Sequence, residues 1–387
     1  MHSLRRAAAI SLALMLLTGS ALAGGTWRTL AGDTAAPDTP AEAAAFTGTV
    51  TMTFLGDCTL GGESKNRSTP TGFFRRIEEN GYGYPMRNLK RLTLTDDLTV
   101  ANLEGVLTDR KLQKRQKTYN FSGPTAYTQI LTEGGIECVT LANNHSHDYG
   151  DAGYADTKAA LERADVAWFG TDAPALWESD DGLRIGFLGV NYALYEGQAA
   201  VYRRQLQALR DAGCAAVVTV MHAGEEYTQT IHARQRQIAQ IAADAGVDLV
   251  VGHHPHVVQG FDLVDGMPVV YSLGNCSFGG ARHVKDADAL ALRAELRFTA
   301  GALETVTLRF YPITVTTDEH YNDFSPAFLT GEDAQRVLDT MLKSTGFDIG
   351  VFDPEKGAVV ECPARKPNVI PLSPETPTTT SEGEQQP

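Results

Sequence analysis

Val247-Asp248-Leu249-Val250-Val251-Gly252-His253-His254-Pro255-His256 starts as an apolar run and ends in three histidines within four residues. The run has the continuous hydrophobicity of a buried parallel strand, and the polar cluster begins where such a strand stops. Five other apolar runs end the same way, at Gly56-Asp57, Asn102-Leu103-Glu104, Asn143-Asn144-His145, His222-Ala223-Gly224 and Gly274-Asn275. In open α/β sheets, ligands lie beyond the carboxyl ends of the strands, so the six clusters are expected to converge on one site. Their Asp, Glu, Asn and His side chains are oxygen and nitrogen donors suited to Mn, Zn, Fe or Mg. One or two divalent ions are therefore expected.

Working outward, strand patterns fall at 50–54, 98–102, 137–141, 166–169, 183–190, 215–221, 247–251 and 268–273. Helical spacing of apolar residues appears between them at 154–164 and 231–244. Strands alternating with helices predict an α/β fold with a largely parallel core. Residues 290–299 and 303–311 flank Ala300-Gly301 and predict a β-hairpin, with the main domain ending near Pro312. Beyond it, 313–372 is expected to be an extension with one helix at 331–344. The tail from 373 to 387 holds Pro, Thr, Ser, Glu and Gln and is expected to be disordered.

The amino terminus predicts an exported protein. Arg5-Arg6, an apolar core from Ala7 to Leu17 and Ala21-Leu22-Ala23 form a secretory signal over residues 1–23. Residues 24–47, rich in Ala, Pro, Thr and Gly, predict a flexible linker to a globular domain from 48 to 312. Loss of the leader removes two arginines and no acid, taking the net charge from −14 to −16. That acidity disfavours nucleic acid as a partner. Five cysteines are an odd number, so at least one is unpaired. Cys58 and Cys276 each follow a cluster residue; the favoured reading is two small residues filling tight space, with pairing or metal contact as alternatives.

The chemistry expected of the clusters follows from side-chain type. His254 and His256 form a His-x-His pair, while His253 could equally be a supporting or substrate-side residue. An Asn144 carbonyl can ligate a metal, and the adjacent His145 can act as a general acid. Asp148, three residues on, can orient that ring and fix its tautomer. Asp57 and Glu104 end their strands with lone carboxylates, and Glu104 is the candidate bridge between two metals. His222 is a further candidate ligand. Asn102, Glu226, His253 and Asn275 are candidate substrate-side residues. Lys117 joins them from a basic run that also holds Arg110, Lys111, Lys114 and Arg115.

These segments, in this order, resemble the CapA family of poly-γ-glutamate capsule synthesis proteins over residues 48–312. That family is similar to the calcineurin-like metallophosphatases, which implies a four-layer α/β/β/α sandwich with a dinuclear site. The resemblance implies Asp57, Glu104, Asn144, His222, His254 and His256 as ligands and His145 as the catalytic acid. Thr59 stands where the phosphatase motif has a histidine, and Glu104 where it has an aspartate. One metal position is then poorer in ligands, filled by a different metal, or empty. Cys276 and Ala223 replace an expected Phe and Trp, which bears on pocket shape.

The implied activity is metal-dependent hydrolysis of a phosphoester or amide, with an anionic surface polymer or a phosphorylated small molecule as substrate. An extracytoplasmic, cell-surface location and membrane-bound capsule machinery as partner are expected with it. The alternative from another class is a non-catalytic accessory that binds or exports the polymer. A surface nucleotidase or phosphodiesterase shares the same metal site. The chain has no Gly-rich Lys loop for ATP, which argues against ligation.

Overall fold

The structure is a computed structural model that describes residues 25–30, 46–192, 198–345, 353 and 356–365. The expected leader and the polar tail lie outside these residues. In chain order the first strands are β1 (Gly25–Thr29), β2 (Gly48–Thr59), β3 (Leu98–Leu103), β4 (Val106–Leu107), β5 (Ser122–Gly123) and β6 (Cys138–Thr140). Next come β7 (Ala167–Phe169), β8 (Ala175–Ser179), β9 (Arg184–Asn191), β10 (Ala216–His222), β11 (Leu249–His253) and β12 (Phe261–Val264). The series ends with β13 (Met267–Val270), β14 (Asn275–Phe278), β15 (Asp288–Thr299), β16 (Ala302–Thr314), β17 (Ala327–Phe328) and β18 (Ala358–Pro363). The helices are α1 (Phe73–Asn80), α2 (Lys90–Thr93), α3 (Thr128–Gly134), α4 (Gly150–Arg163), α5 (Ala199–Asp211), α6 (Ala233–Ala245) and α7 (Gly331–Leu342).

Two mixed sheets carry the fold. One has the order β1-β8-β9-β10-β11-β13-β12, with β9, β10, β11 and β13 parallel. The other has the order β17-β16-β15-β2-β3-β6-β7, with β14 beside β2 and β18 beside β16. Within it β2, β3, β6, β7 and β14 are parallel. Alternation decides which side chains meet between the sheets. Phe54 and Val100 from one sheet pack with Val218 and Val251 from the other in a shared inner core. Each such side chain, fully buried, contributes about 1.5–3 kcal/mol. The opposite faces are covered by helices, Ile77, Ile130 and Leu161 on one side and Leu209, Ile238 and Ala242 on the other. The result is the expected α/β/β/α sandwich.

Several expectations need correction. Residues 24–47 are not wholly a linker, because β1 pairs antiparallel with β8 and Trp27 packs 5.1 Å from the Phe187 ring. One aromatic residue in a five-residue strand, set among small and polar residues, leaves too little periodicity to read. Pro312 is not a boundary either: it lies inside β16, and β17 and β18 both pair with that strand. The expected helix is α7, and it joins the two sheets. Val337, Leu338 and Met341 enter the inner core, Arg336 pairs with Asp288 of β15, and the Phe261 amide of β12 donates to Thr345 Oγ1 at 2.8 Å. The hairpin forms as expected, with Ala300 (φ 48) and Gly301 (φ 78) both left-handed, as a tight turn of this hand requires.

Far from the polar clusters, just before β6, Glu137 accepts a hydrogen bond from the Thr99 amide at 2.8 Å. Burial pushes its carboxyl up to about 7, the Thr99 amide works against that, and nearby Asp96 adds to the rise. Because the folded form holds its proton more tightly than the unfolded chain, stability falls as pH rises from about 4.5 to about 7. Glu137→Gln is expected to raise stability at pH 8 by on the order of 1–3 kcal/mol, with the gain vanishing below pH ~4.5. Urea denaturation of both proteins at pH 4, 6 and 8 checks this; a gain independent of pH would contradict it.

Candidate metal centre

The parallel strands of both sheets end at the same edge, and the polar clusters meet there. Asp57 reaches that edge through a break in alternation. On β2, Phe54 faces the inner core and Leu55 the helices, so an unbroken strand would turn Asp57 toward the helices. Between Leu55 and Asp57 the pairing with β3 slips by one residue, a bulge at Gly56 that returns Asp57 to the inner side. Only glycine fits there: a Cβ at Gly56 would lie 2.3 Å from the Gly274 carbonyl oxygen. Asn102, two residues beyond inward-facing Val100, and His222, two beyond Val220, need no such device.

Two groupings of donors form around one carboxylate. In the first, Asp57, Glu104 and His256 offer ligand atoms that all lie within 4.8 Å of one another. His256 Nδ1 is 3.1 Å from Asp57 Oδ2. In the second, His222 Nε2 lies 2.8 Å from Asn144 Oδ1, 3.1 Å from His254 Nδ1 and 3.6 Å from Glu104 Oε1. Glu104 belongs to both, as the expected bridge would. Its amide is fixed by a 2.9 Å bond to the Cys58 carbonyl, yet both carboxylate oxygens are buried with no hydrogen-bond partner. A buried, unpartnered carboxylate is costly unless a cation neutralises it.

The protonation pattern agrees. Burial, reinforced by Asp57, pushes the Glu104 carboxyl up to about 7. Burial also acts to raise Asp57, but its hydrogen bonds with His253 and His256 hold it well below the ordinary carboxylate range. Burial works against charge on His256, yet Glu104 and Asp57 push it up to about 10. Burial and the neighbouring His254 keep His222 far down, and burial with His256 lowers His254. The cluster thus sets two carboxylates beside two neutral imidazoles, a donor set that fits divalent Mn, Zn, Fe or Mg. Thr59, buried with an unpartnered hydroxyl, replaces the nitrogen donor expected at that position. The first grouping, with His256 alone, is poorer in nitrogen than the second, which has His222 and His254.

Backbone strain concentrates here too. His254 (φ 98), His256 (φ 56) and Tyr227 (φ 59) all lie in the left-handed region, which costs bulky residues energy unless the surroundings impose it. The turn after β11 is held by the His254 amide, 3.3 Å from Asp57 Oδ2, and by Asn275, whose Oδ1 is 2.9 Å from His256 Nδ1.

His145 stands beside the cluster. Its Nδ1 lies 2.8 Å from Asp148 Oδ2, while Nε2 points inward, 3.9 Å from Glu104 Oε1. Asp148 is held by the Phe121 amide at 2.6 Å and by an ion pair with Lys117. The ring stacks on Phe121 at 4.4 Å. Phe121 is a site residue that sequence reasoning missed; it sits in a loop with no periodicity and no donor atom to mark it.

Four expected substrate-side residues contact the candidate ligands or their neighbours. Asn102 is fully buried and donates to Asp57 Oδ1 at 2.7 Å, with its amide 3.2 Å from His222 Nδ1. His253 is buried against Asp57 at 3.4 Å, and buried Asn275 positions His256. Lys117 is spent on Asp148 and on the Asn144 carbonyl at 2.9 Å. Asn102, His253 and Asn275 are buried against the ligands, while Lys117 remains exposed. Glu226 is exposed at the mouth, close enough for its charge to raise Glu104 and His256. Cys58 and Cys276 are free thiols buried under the helices on the face away from Asp57, which removes them as ligands.

Such a sandwich, with donor side chains gathered where the strands of both sheets end, defines an α/β protein organised around a candidate metal edge. Residues 51–279, more than half of the chain, match the family described as bacterial capsule synthesis protein PGA_cap, and the chain belongs to that family. It is similar to the capsule biosynthesis protein CapA of Bacillus anthracis, 32% identical over 268 residues, covering 62% of each chain. It is also similar to the PGA biosynthesis protein CapA of Bacillus subtilis strain 168, 28% identical over 221 residues, covering 52% of this chain and 58% of that one. The match therefore spans about three fifths of those relatives' lengths. A solved structure, TT1561 of Thermus thermophilus, aligns with 66% of this chain and 98% of its own at 13% identity and a TM-score of 0.35, too distant to inform the chemistry.

Glu104→Gln removes the shared charge at nearly constant volume. Reconstituted with Mn(II), the variant is expected to bind metal at least roughly tenfold more weakly than the wild type. In chelator it should be no less stable, because the unpartnered buried charge is gone. Metal titration and thermal melts check both; equal metal affinity would remove Glu104 from the centre.

Proposed function

We propose that the chain is an exported protein of capsule or poly-γ-glutamate metabolism that hydrolyses a phosphoester or amide in an anionic surface polymer or its precursor. The observation that carries this is the His145–Asp148 pair, with Nε2 turned toward Glu104 at 3.9 Å. A scaffold has no use for an oriented imidazole beside unpartnered metal donors. A divalent ion held there supplies Lewis acidity and lowers the pKa of water. Asp57, Glu104, Asn144, His222, His254 and His256 would hold it, one or two ions in all. Asp148 accepts the Nδ1 proton of His145 and stabilises the ring when it is charged, so that Nε2 can pass a proton to the departing oxygen or nitrogen. Lys117 holds Asp148 in place through their ion pair.

The names of the two Bacillus relatives support capsule or PGA metabolism as the setting. An extracytoplasmic location and work beside membrane-bound capsule machinery are part of the same proposal. Among the described residues no helix is long and apolar enough to cross a membrane. One observation favours the accessory reading: Thr59 leaves the first grouping short of a donor, which suits a structural metal in a polymer-binding protein.

His145→Ala separates the two. As a catalyst, the Mn(II)-loaded variant is expected to lose about 10²–10⁴ in kcat on a phosphate ester or γ-glutamyl amide, with metal content and melting temperature retained. Asp148→Asn should lose less and shift the pH profile. Wild type inactive on both substrate types, with polymer binding intact, would favour the accessory.

A further inference from the structure

One aromatic–cation pair at the mouth takes no part in holding the cluster together. Tyr227 follows His222 by five residues, is 37% exposed, and its ring lies 5.8 Å from that of His256. Its left-handed backbone is fixed by a 2.7 Å hydrogen bond from its amide to the Pro255 carbonyl, which ties it to the strained His254–His256 turn. Strain of this kind persists where the surroundings over-determine a side chain's position. Over the Tyr227 ring, 3.9 Å from its centre, sits the ammonium of Lys285, brought in by the segment between β14 and β15. Lys285 is exposed, and among the described residues no carboxylate lies within ion-pair distance of it. Lys117, by contrast, is neutralised by Asp148.

In a chain of net charge −14, with Glu226 exposed at the same mouth, an unpaired cation held over a fixed ring is positioned for an incoming anion. The tyrosine face orients the ammonium without consuming its charge, as a carboxylate partner would. We propose that Lys285 and Tyr227 form an anion-binding subsite on the His256 side of the centre. It takes an oxyanion, carboxylate or phosphate, that the substrate carries next to the group placed at His145. This rests on the proposed function for its orientation, while the binding itself does not require turnover. A polymer with a charged group on every unit would satisfy both positions at once.

The test is binding to the Mn(II)-loaded His145→Ala protein, in which cleavage is suppressed, with and without Lys285→Met, Lys285→Arg or Lys285→Glu. The probes are a γ-linked oligoglutamate, the same oligomer with its free carboxylates amidated, and inorganic tripolyphosphate. Lys285→Met is expected to weaken one or both anionic probes roughly five- to tenfold, Lys285→Glu more, and Lys285→Arg little. The amidated oligomer should bind equally to all four proteins. Whichever anionic probe loses more identifies the oxyanion as carboxylate or phosphate. Equal affinity of Lys285→Met and its parent for both anionic probes, or no binding of either, would overturn the subsite. Lys285-dependent binding with a wild type inert toward every ester and amide would retain the subsite and reject the hydrolase.

Discussion

Phe54 faces the other sheet and Leu55 faces the helices, so strict alternation would bury Asp57 among apolar side chains. Gly56 inserts the extra residue that reverses the sense of β2 at that point. The contact permitting it is equally particular: the Gly274 carbonyl oxygen accepts a 3.0 Å hydrogen bond from the Asp57 amide and leaves no room for a Cβ at position 56. Everything at the centre then builds on Asp57. Asn102, His253, the His254 amide and His256 all contact its carboxylate, and Asn102 and His256 relay that order to His222 and Asn275.

The same contacts explain how an anionic cluster is tolerated inside an α/β sandwich. Asp57 is supported by histidines, one of which is held charged, whereas the Glu104 carboxylate has no hydrogen-bond partner among the described residues. Burying a lone carboxylate works against folding, and here the cost falls where two rows of donors face each other. Stability must come from elsewhere, and the extensive inner core supplies it. Residues beyond Pro312 contribute directly, since α7 contacts β15 of one sheet and Thr345, just past its end, bonds β12 of the other. A centre assembled from both sheets needs that brace.

Around the cluster, polar side chains divide by what they can still reach. Those facing inward are consumed by neighbouring donors, as Asn102, His253 and Asn275 are. Others keep an unused donor, with His145 Nε2 directed toward Glu104 and the Lys285 ammonium held over Tyr227. This division separates residues that set ligand geometry from residues able to meet a substrate, and residue type does not predict it.

The α/β class and the convergence of the polar clusters were legible in the chain, because each rests on local order: apolar runs of strand length followed by polar residues. The hairpin at Ala300-Gly301 was legible for the same reason. What surrounds the centre was not. Five-residue β1 has too little periodicity, β18 adds to a strand some fifty residues away in sequence, and the bulge at Gly56 looks like any Gly-Asp turn until β14 presses against it. Only the tertiary structure decided that Lys117 belongs to Asp148, that Phe121 supports His145, and that Lys285 meets Tyr227. Local sequence specifies which groups a strand end offers; which of them remain unpaired depends on neighbours contributed by distant segments.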